Sequence, residues 1–178
     1  MKARYLINPF ERIAGWEGLG IGLFGWLSCA YLCFSSGTHF EGLVQVRYAK
    51  DSEWLHYFLE NASFLVVQVL VAAIGGKVMS YNFRLIDLTG TLLFSWFPLV
   101  LVPLLRLIPT FSAMYYHSPQ VQILDGLYIG TMVWSIVISY HAVRISIGIS
   151  DSQKYVLFGI SVLLAEIGRQ FSLNFFLN

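Results

Sequence analysis

Charge is what this sequence has least of. Only 12% of its 178 residues are Asp, Glu, Lys or Arg, while 57% are hydrophobic; a soluble domain carries about 25% charged residues. That supply cannot cover a water-facing surface, so lipid is expected to be the solvent of most of the chain. Disorder is excluded, because it requires low hydrophobicity and high net charge. A net charge of +1 leaves no basic patch for a nucleic-acid partner. Cysteine is scarce as well: Cys29 and Cys33 are the two present. They stand four apart in an apolar run, too far for a local disulfide and too few for a metal site. They read as small apolar fillers and say nothing about redox compartment.

Catalytic signatures are also missing. No serine sits in a nucleophile elbow, no cysteine has a neighbouring histidine, and no acids pair across an aqueous cleft. No catalytic residue and no cofactor are therefore expected. His39, Glu41, Asp51, Glu53, His56 and His117 could in principle converge on a divalent metal, but they lack an HExxH pattern or paired ligand spacing. They read as parts of solvated loops, and no metal is expected. Gly20-Ile21-Gly22-Leu23-Phe24-Gly25 spells a dinucleotide fingerprint, but inside an apolar helix rather than between a strand and a helix, so the match is accidental.

What the chain does have is long apolar runs. A bilayer core takes about 20 mostly apolar residues per helix. Five stretches qualify, roughly Trp16 to Ser35, His56 to Met79, Asp87 to Leu107, Val121 to Ile145 and Tyr155 to Phe176, and no soluble domain is left over. The expected fold is an all-α bundle of five transmembrane helices. It divides into an N-terminal segment, 1–15, and one transmembrane domain, 16–178. The first run lacks a clear small-x-small cleavage site and reads as a permanent helix. Before it, Asn8, Pro9 and Glu11 can open a short amphipathic lead-in helix over Pro9 to Ile13. With the N-terminus inside, Lys and Arg divide seven inside to four outside, so a cytoplasmic N-terminus and an outer C-terminus are expected. Pro98 and Pro103 read as kinks in the third span.

Three groups of residues stand out. Gly15, Gly18, Gly22 and Gly25 recur every three or four residues; Gly18, Gly22 and Gly25 predict a helix-packing seam, within the chain before across a dimer. Glu166 falls midway along the last span with Arg169 one turn on. A charge at that depth costs about 2.5–3.5 kcal/mol and must be paired. By depth, Gln68 can meet Glu166 and Asp125 can meet Arg169. The four form a candidate buried polar network, read first as a device fixing helix register and second as a polar path. Lys77, Arg84, Arg144 and Lys154 rim the inner surface, where they fix topology and attract lipid headgroups. Asp87 reads as the cap of the third helix.

Leu6-Ile7-Asn8-Pro9-Phe10-Glu11-Arg12-Ile13 resembles the Asn-Pro-Phe opening of bacterial members of the Yip1 family. Gly75-Gly76-Lys77 and Asp87-Leu88-Thr89-Gly90-Thr91 leading to Pro98 are similar to that family's middle section. Trp134-Ser135-Ile136 to Ala142-Val143-Arg144, then Gly148-Ile149-Ser150, resemble its fourth span and following loop. The resemblance implies a five-span, multi-pass protein of the bacterial inner membrane, with a membrane-organising or adaptor role through helix packing, lipid and protein contacts. Its partners would be membrane lipids and a membrane protein or a second copy of the chain. Only about 15 residues precede the first span, short of the long region with which eukaryotic members contact GTPases. The competing expectation is a small transporter, channel or lipid-moving protein using Glu166, Arg169 and Asp125 as its path.

Overall fold

Apolar runs without internal proline satisfy their own backbone hydrogen bonds as helices, and helices account for almost all of the regular structure. The computed structural model describes residues 15–41, 45–49, 53–112, 119–149 and 152–176; the expected lead-in helix over Pro9 to Ile13 lies outside them. In chain order come α1 (Gly15–Ser36), a hairpin of β1 (Thr38–His39) and β2 (Arg47–Tyr48), α2 (Trp54–Val78), α3 (Leu85–Phe94), a 3-10 turn (Phe97–Val100), α4 (Leu101–Arg106), α5 (Pro109–Ser112), α6 (Pro119–Ile147) and α7 (Gln153–Phe176). The fold is all-α, with one antiparallel pairing of Thr38 with Tyr48 and His39 with Arg47.

Among the described residues, four segments are long and apolar enough to cross a membrane: Gly15–Ser36, Trp54–Val78, Leu85–Arg106 and Gln122–Ile147. The fifth expected span is also a long helix, α7, of 24 residues. It is not among the four; Glu166, Arg169 and Gln170 dilute its apolar content.

Proline decides the shape of the third segment. Pro98 has no N–H to give the preceding turn, so α3 ends at Phe94 and the chain crosses a 3-10 turn before α4 resumes it. Leu99 N–H bonds to Trp96 O instead of continuing the α-helical ladder. The carbonyl of Ser95 thereby loses its helical partner and is taken over by Ser135 Oγ of α6 at 2.6 Å. Pro103 lies buried within α4 without ending it.

Gly18, Gly22 and Gly25 are all buried on one face of α1, and that face packs within the chain against α3 and the 3-10 turn. A Cβ on Gly22 would stand 2.6 Å from Gly90 O and 2.8 Å from Leu93 Cβ; one on Gly90 would stand 2.6 Å from Leu19 N. The two backbones are in van der Waals contact, which only small residues permit. Asp87 serves this same seam. The cap position of α3 is Arg84, with no side-chain cap, whereas Asp87 Oδ1 accepts the Gly15 N–H at 2.7 Å. Asp87 therefore caps α1 rather than its own helix, because the close approach of α1 brings that orphan donor to it.

At the other end Gly37, at φ +66°, adopts the left-handed conformation that stops a helix without strain and turns the chain into the hairpin. Arg106 Nε donates to Ser36 O at 3.1 Å and covers the Tyr48 ring at 4.7 Å, placing a cation on the negative end of α1. Thr38, His39 and Phe40 are at most 1% exposed. The start of this connection is thus folded into the bundle, where the sequence reading had a solvated loop.

Gly22→Ala is expected to destabilise the protein by about 1–3 kcal/mol, the usual range for overpacking a tight site. Gly20→Ala, with nothing within 4 Å of the added carbon, should be neutral or slightly stabilising. Thermal unfolding of the two variants side by side checks this, and equal midpoints would refute the seam.

Candidate functional site

Beside the break in the third segment lies a small cavity of about 30 Å³, an order of magnitude below the volume of a typical small-molecule site. Its walls are apolar: Phe40, Phe64, Trp96, Leu99, Met132, Ile136 and Val162. Its polar lining is Gln68, Ser95, Ser135, Ser139 and Arg169.

Each polar group is there for a local reason. Ser135 and Ser139 are one turn apart on α6 and face α3, where Ser139 Oγ donates to Ser95 Oγ at 2.8 Å and Ser135 takes the freed Ser95 carbonyl. Ser95 Oγ in turn donates to Leu92 O at 2.6 Å. Each hydroxyl has spent its proton, and the oxygens of Ser135 and Ser139 keep acceptor capacity. Gln68 is 1% exposed, and neither its Nε2 nor its Oε1 has a hydrogen-bond partner among the described residues. Leaving a buried amide unpaired costs about 1–3 kcal/mol for each group, so Gln68 is held ready for a partner beyond the described residues.

Arg169 is 2% exposed. Its Nη1 donates to Phe40 O at 2.6 Å, its Nη2 pairs with Glu166, and its carbon Cζ lies 5.4 Å from the centre of the Phe64 ring. The remaining nitrogen, Nε, has no partner among the described residues. Gln170 Nε2 donates to Glu41 O at 2.8 Å, a second tie from α7 to the chain just after β1.

The four residues of the anticipated network are thus placed differently from one another. Glu166 and Arg169 are paired, and Gln68 shares the pocket with Arg169. Asp125 lies elsewhere: its Oδ1 accepts from Tyr48 Oη at 3.3 Å. Burial, reinforced by the Asp125 carboxylate, pushes the Tyr48 hydroxyl above its ordinary pKa and keeps it a proton donor. Arg169 takes the Phe40 carbonyl as its second partner, a backbone atom that no side-chain inventory contains. The pocket serines were also missed, although their spacing, Ser135 then Ser139 after Thr131, is a polar helical stripe in plain sight. Cys29 and Cys33 are free and buried. Lys77, Arg84 and Arg144 are exposed and Lys154 half-buried, gathered at the end of the bundle where α2 and α6 finish and α3 and α7 begin. Arg84 Nε there lies 3.7 Å from Asp87, and Lys77 and Lys154 cover the rings of Phe83 and Tyr155.

No protein-family model matches the chain, and no curated protein and no solved structure matches it either. The resemblance to the Yip1 family therefore rests on the quoted residues alone.

Glu166→Leu leaves the Arg169 charge buried and uncompensated, and it should destabilise the protein by about 3 kcal/mol. The double change Glu166→Leu/Arg169→Leu should recover part of that loss. Chemical unfolding of both variants measures the coupling, and a strictly additive double variant would show that the pair is not the source of the effect.

Proposed function

We propose that the chain is a non-enzymatic multi-pass membrane protein of Yip1-type organisation whose helical bundle takes the polar end of a small amphiphile, as a lipid-binding or lipid-moving protein does. The membrane reading is supported by the inverted polarity of α2. This helix buries Glu60, Asn61 and Gln68 while Val66, Leu70 and Ile74 on its other face are 54–62% exposed, the arrangement expected where the surrounding solvent is apolar. The α7 helix does the same, turning Arg169 inward and Leu163 and Phe171 outward. We include α7 as the fifth span because its charged pair is satisfied within the bundle. The cytoplasmic N-terminus and a bacterial inner membrane remain part of the proposal, carried by the Lys and Arg distribution and the motif resemblance.

The observation that carries the binding role is the pairing of an interrupted helix with an unsatisfied polar pocket. Helix breaks at membrane depth are tolerated where the irregular backbone is buried in protein or lines a cavity, and in transporters such breaks sit at the substrate site. Here the break supplies Ser95, Trp96 and Leu99 to a pocket whose Gln68 amide awaits partners and whose walls are aromatic and aliphatic. A hydrogen-bonding group at the polar end meets the amide and serine oxygens between Phe64, Trp96 and Met132, and the apolar body, too large for the cavity, stays outside it. The glycine seam of α1 is consumed by α3, which removes from the adaptor reading the surface on which a partner helix would dock most closely.

Purification in mild detergent followed by native mass spectrometry should find about one amphiphile retained per chain. Ile136→Trp, which places an indole in the pocket from a half-buried wall position, should abolish retention while leaving the unfolding midpoint within a few degrees. Equal retention by the two proteins would place the bound molecule outside the pocket and refute the reading.

A further inference from the structure

At the hairpin end of the bundle, outside the pocket lining, three side chains converge that no sequence pattern joined. His39 Nδ1 lies 3.1 Å from Glu60 Oε2, and His56 Nε2 lies 3.9 Å from the same oxygen. One ligand atom from each of the three falls within 4.8 Å of the others. In a tetrahedral zinc site with bonds of about 2.0–2.2 Å, ligand atoms stand about 3.4 Å apart, and the two separations from Glu60 Oε2 bracket that value.

We propose that His39, His56 and Glu60 form a binding site for a divalent first-row transition ion, with zinc as its representative, which clamps the hairpin onto α2. Two imidazoles and one carboxylate suit such ions and leave a coordination position open. Glu60 supplies an independent observation. It is 1% exposed, yet its second oxygen, Oε1, has no hydrogen-bond partner among the described residues. A purely structural ion pair buried this deeply is expected to have its remaining lone pairs satisfied, whereas an unpaired carboxylate oxygen beside two ring nitrogens is what a cation completes.

The surroundings fix the ligands and leave an approach. The His39 ring stacks on Tyr57 at 4.1 Å, and Tyr57 is itself anchored by its hydroxyl, which donates to Ala49 O at 3.1 Å. The stack sets the plane of the imidazole, as the supporting shell of a metal site does. His56 stands one helical turn before Glu60, and its side chain is 17% exposed, so an ion enters past it. Metal bound here would hold His39 in place, one residue before the carbonyl on which Arg169 depends.

The test uses the untagged full chain in mild detergent, stripped with a chelator, then given zinc and dialysed, with metal content and unfolding midpoint as readouts. One equivalent of zinc per chain is expected, together with a midpoint that rises by several degrees on adding zinc and falls again with chelator. His56→Ala, at a partly exposed position, should retain less than a tenth of the zinc and lose the zinc-dependent shift while keeping the metal-free midpoint of the parent. Glu60→Gln should lose the metal too, and His141→Ala should keep it. Substoichiometric zinc on the parent, undiminished zinc on His56→Ala, or an equal loss on His141→Ala would each overturn the proposal.

Discussion

The guanidinium of Arg169 joins parts of the molecule that are otherwise distant in the chain. It is sealed from solvent, and an ion so placed survives only with its charge balanced and most of its donors engaged. Glu166, one turn away on the same helix, supplies the opposite charge. The carbonyl of Phe40, 129 residues away in sequence, supplies a backbone acceptor. To present that carbonyl, the chain leaving α1 must turn at Gly37 and bury Thr38, His39 and Phe40 inside the bundle. The hairpin, the His39–Glu60 contact and the inner wall of the pocket follow from that requirement.

A second constraint acts at the opposite side of the pocket. Proline in the third segment cannot complete the helical ladder, and a freed carbonyl in an apolar environment must be given another donor. Ser135 meets that need, Ser139 and Ser95 extend the polar stripe, and the interrupted helix becomes one wall of a cavity. The pocket thus lies between two solutions of the same problem: polar backbone that cannot be left alone where water is scarce. Gln68, which lines the same pocket, has no partner among the described residues, which is why it carries the binding proposal.

Close packing sets how the helices come together. The contact of Gly22 with Gly90 brings α1 and α3 to backbone distance, and Gly168 makes room on α7 for the Val67 side chain of α2, where an added Cβ would stand 2.7 Å from Cγ2. Where the surrounding solvent is as apolar as the side chains, this packing replaces hydrophobic burial as the cohesive force. It also accounts for the poor segregation of apolar residues by face: exposed and buried faces are both apolar, and what distinguishes the buried one is smallness and polarity.

The sequence by itself determined the helices and most of their limits, because helix length and apolar content are local properties written in contiguous residues. It also determined that Glu166 and Arg169 pair and that Gly18, Gly22 and Gly25 lie on one face, since spacings of three and four fix those relations on any helix. Only the tertiary structure decided what those faces meet. Asp125 and Gln68 could be ranked by depth, but depth does not say which helices are neighbours; Asp125 went to Tyr48, and Gln68 to the pocket. Asp87 caps another helix, and a backbone carbonyl took the partner's place beside Arg169. His56 and Glu60 stood four apart in plain view, yet His39 joins them through a turn and a two-residue strand. Contacts of that kind depend on chain path in three dimensions, which no periodicity encodes.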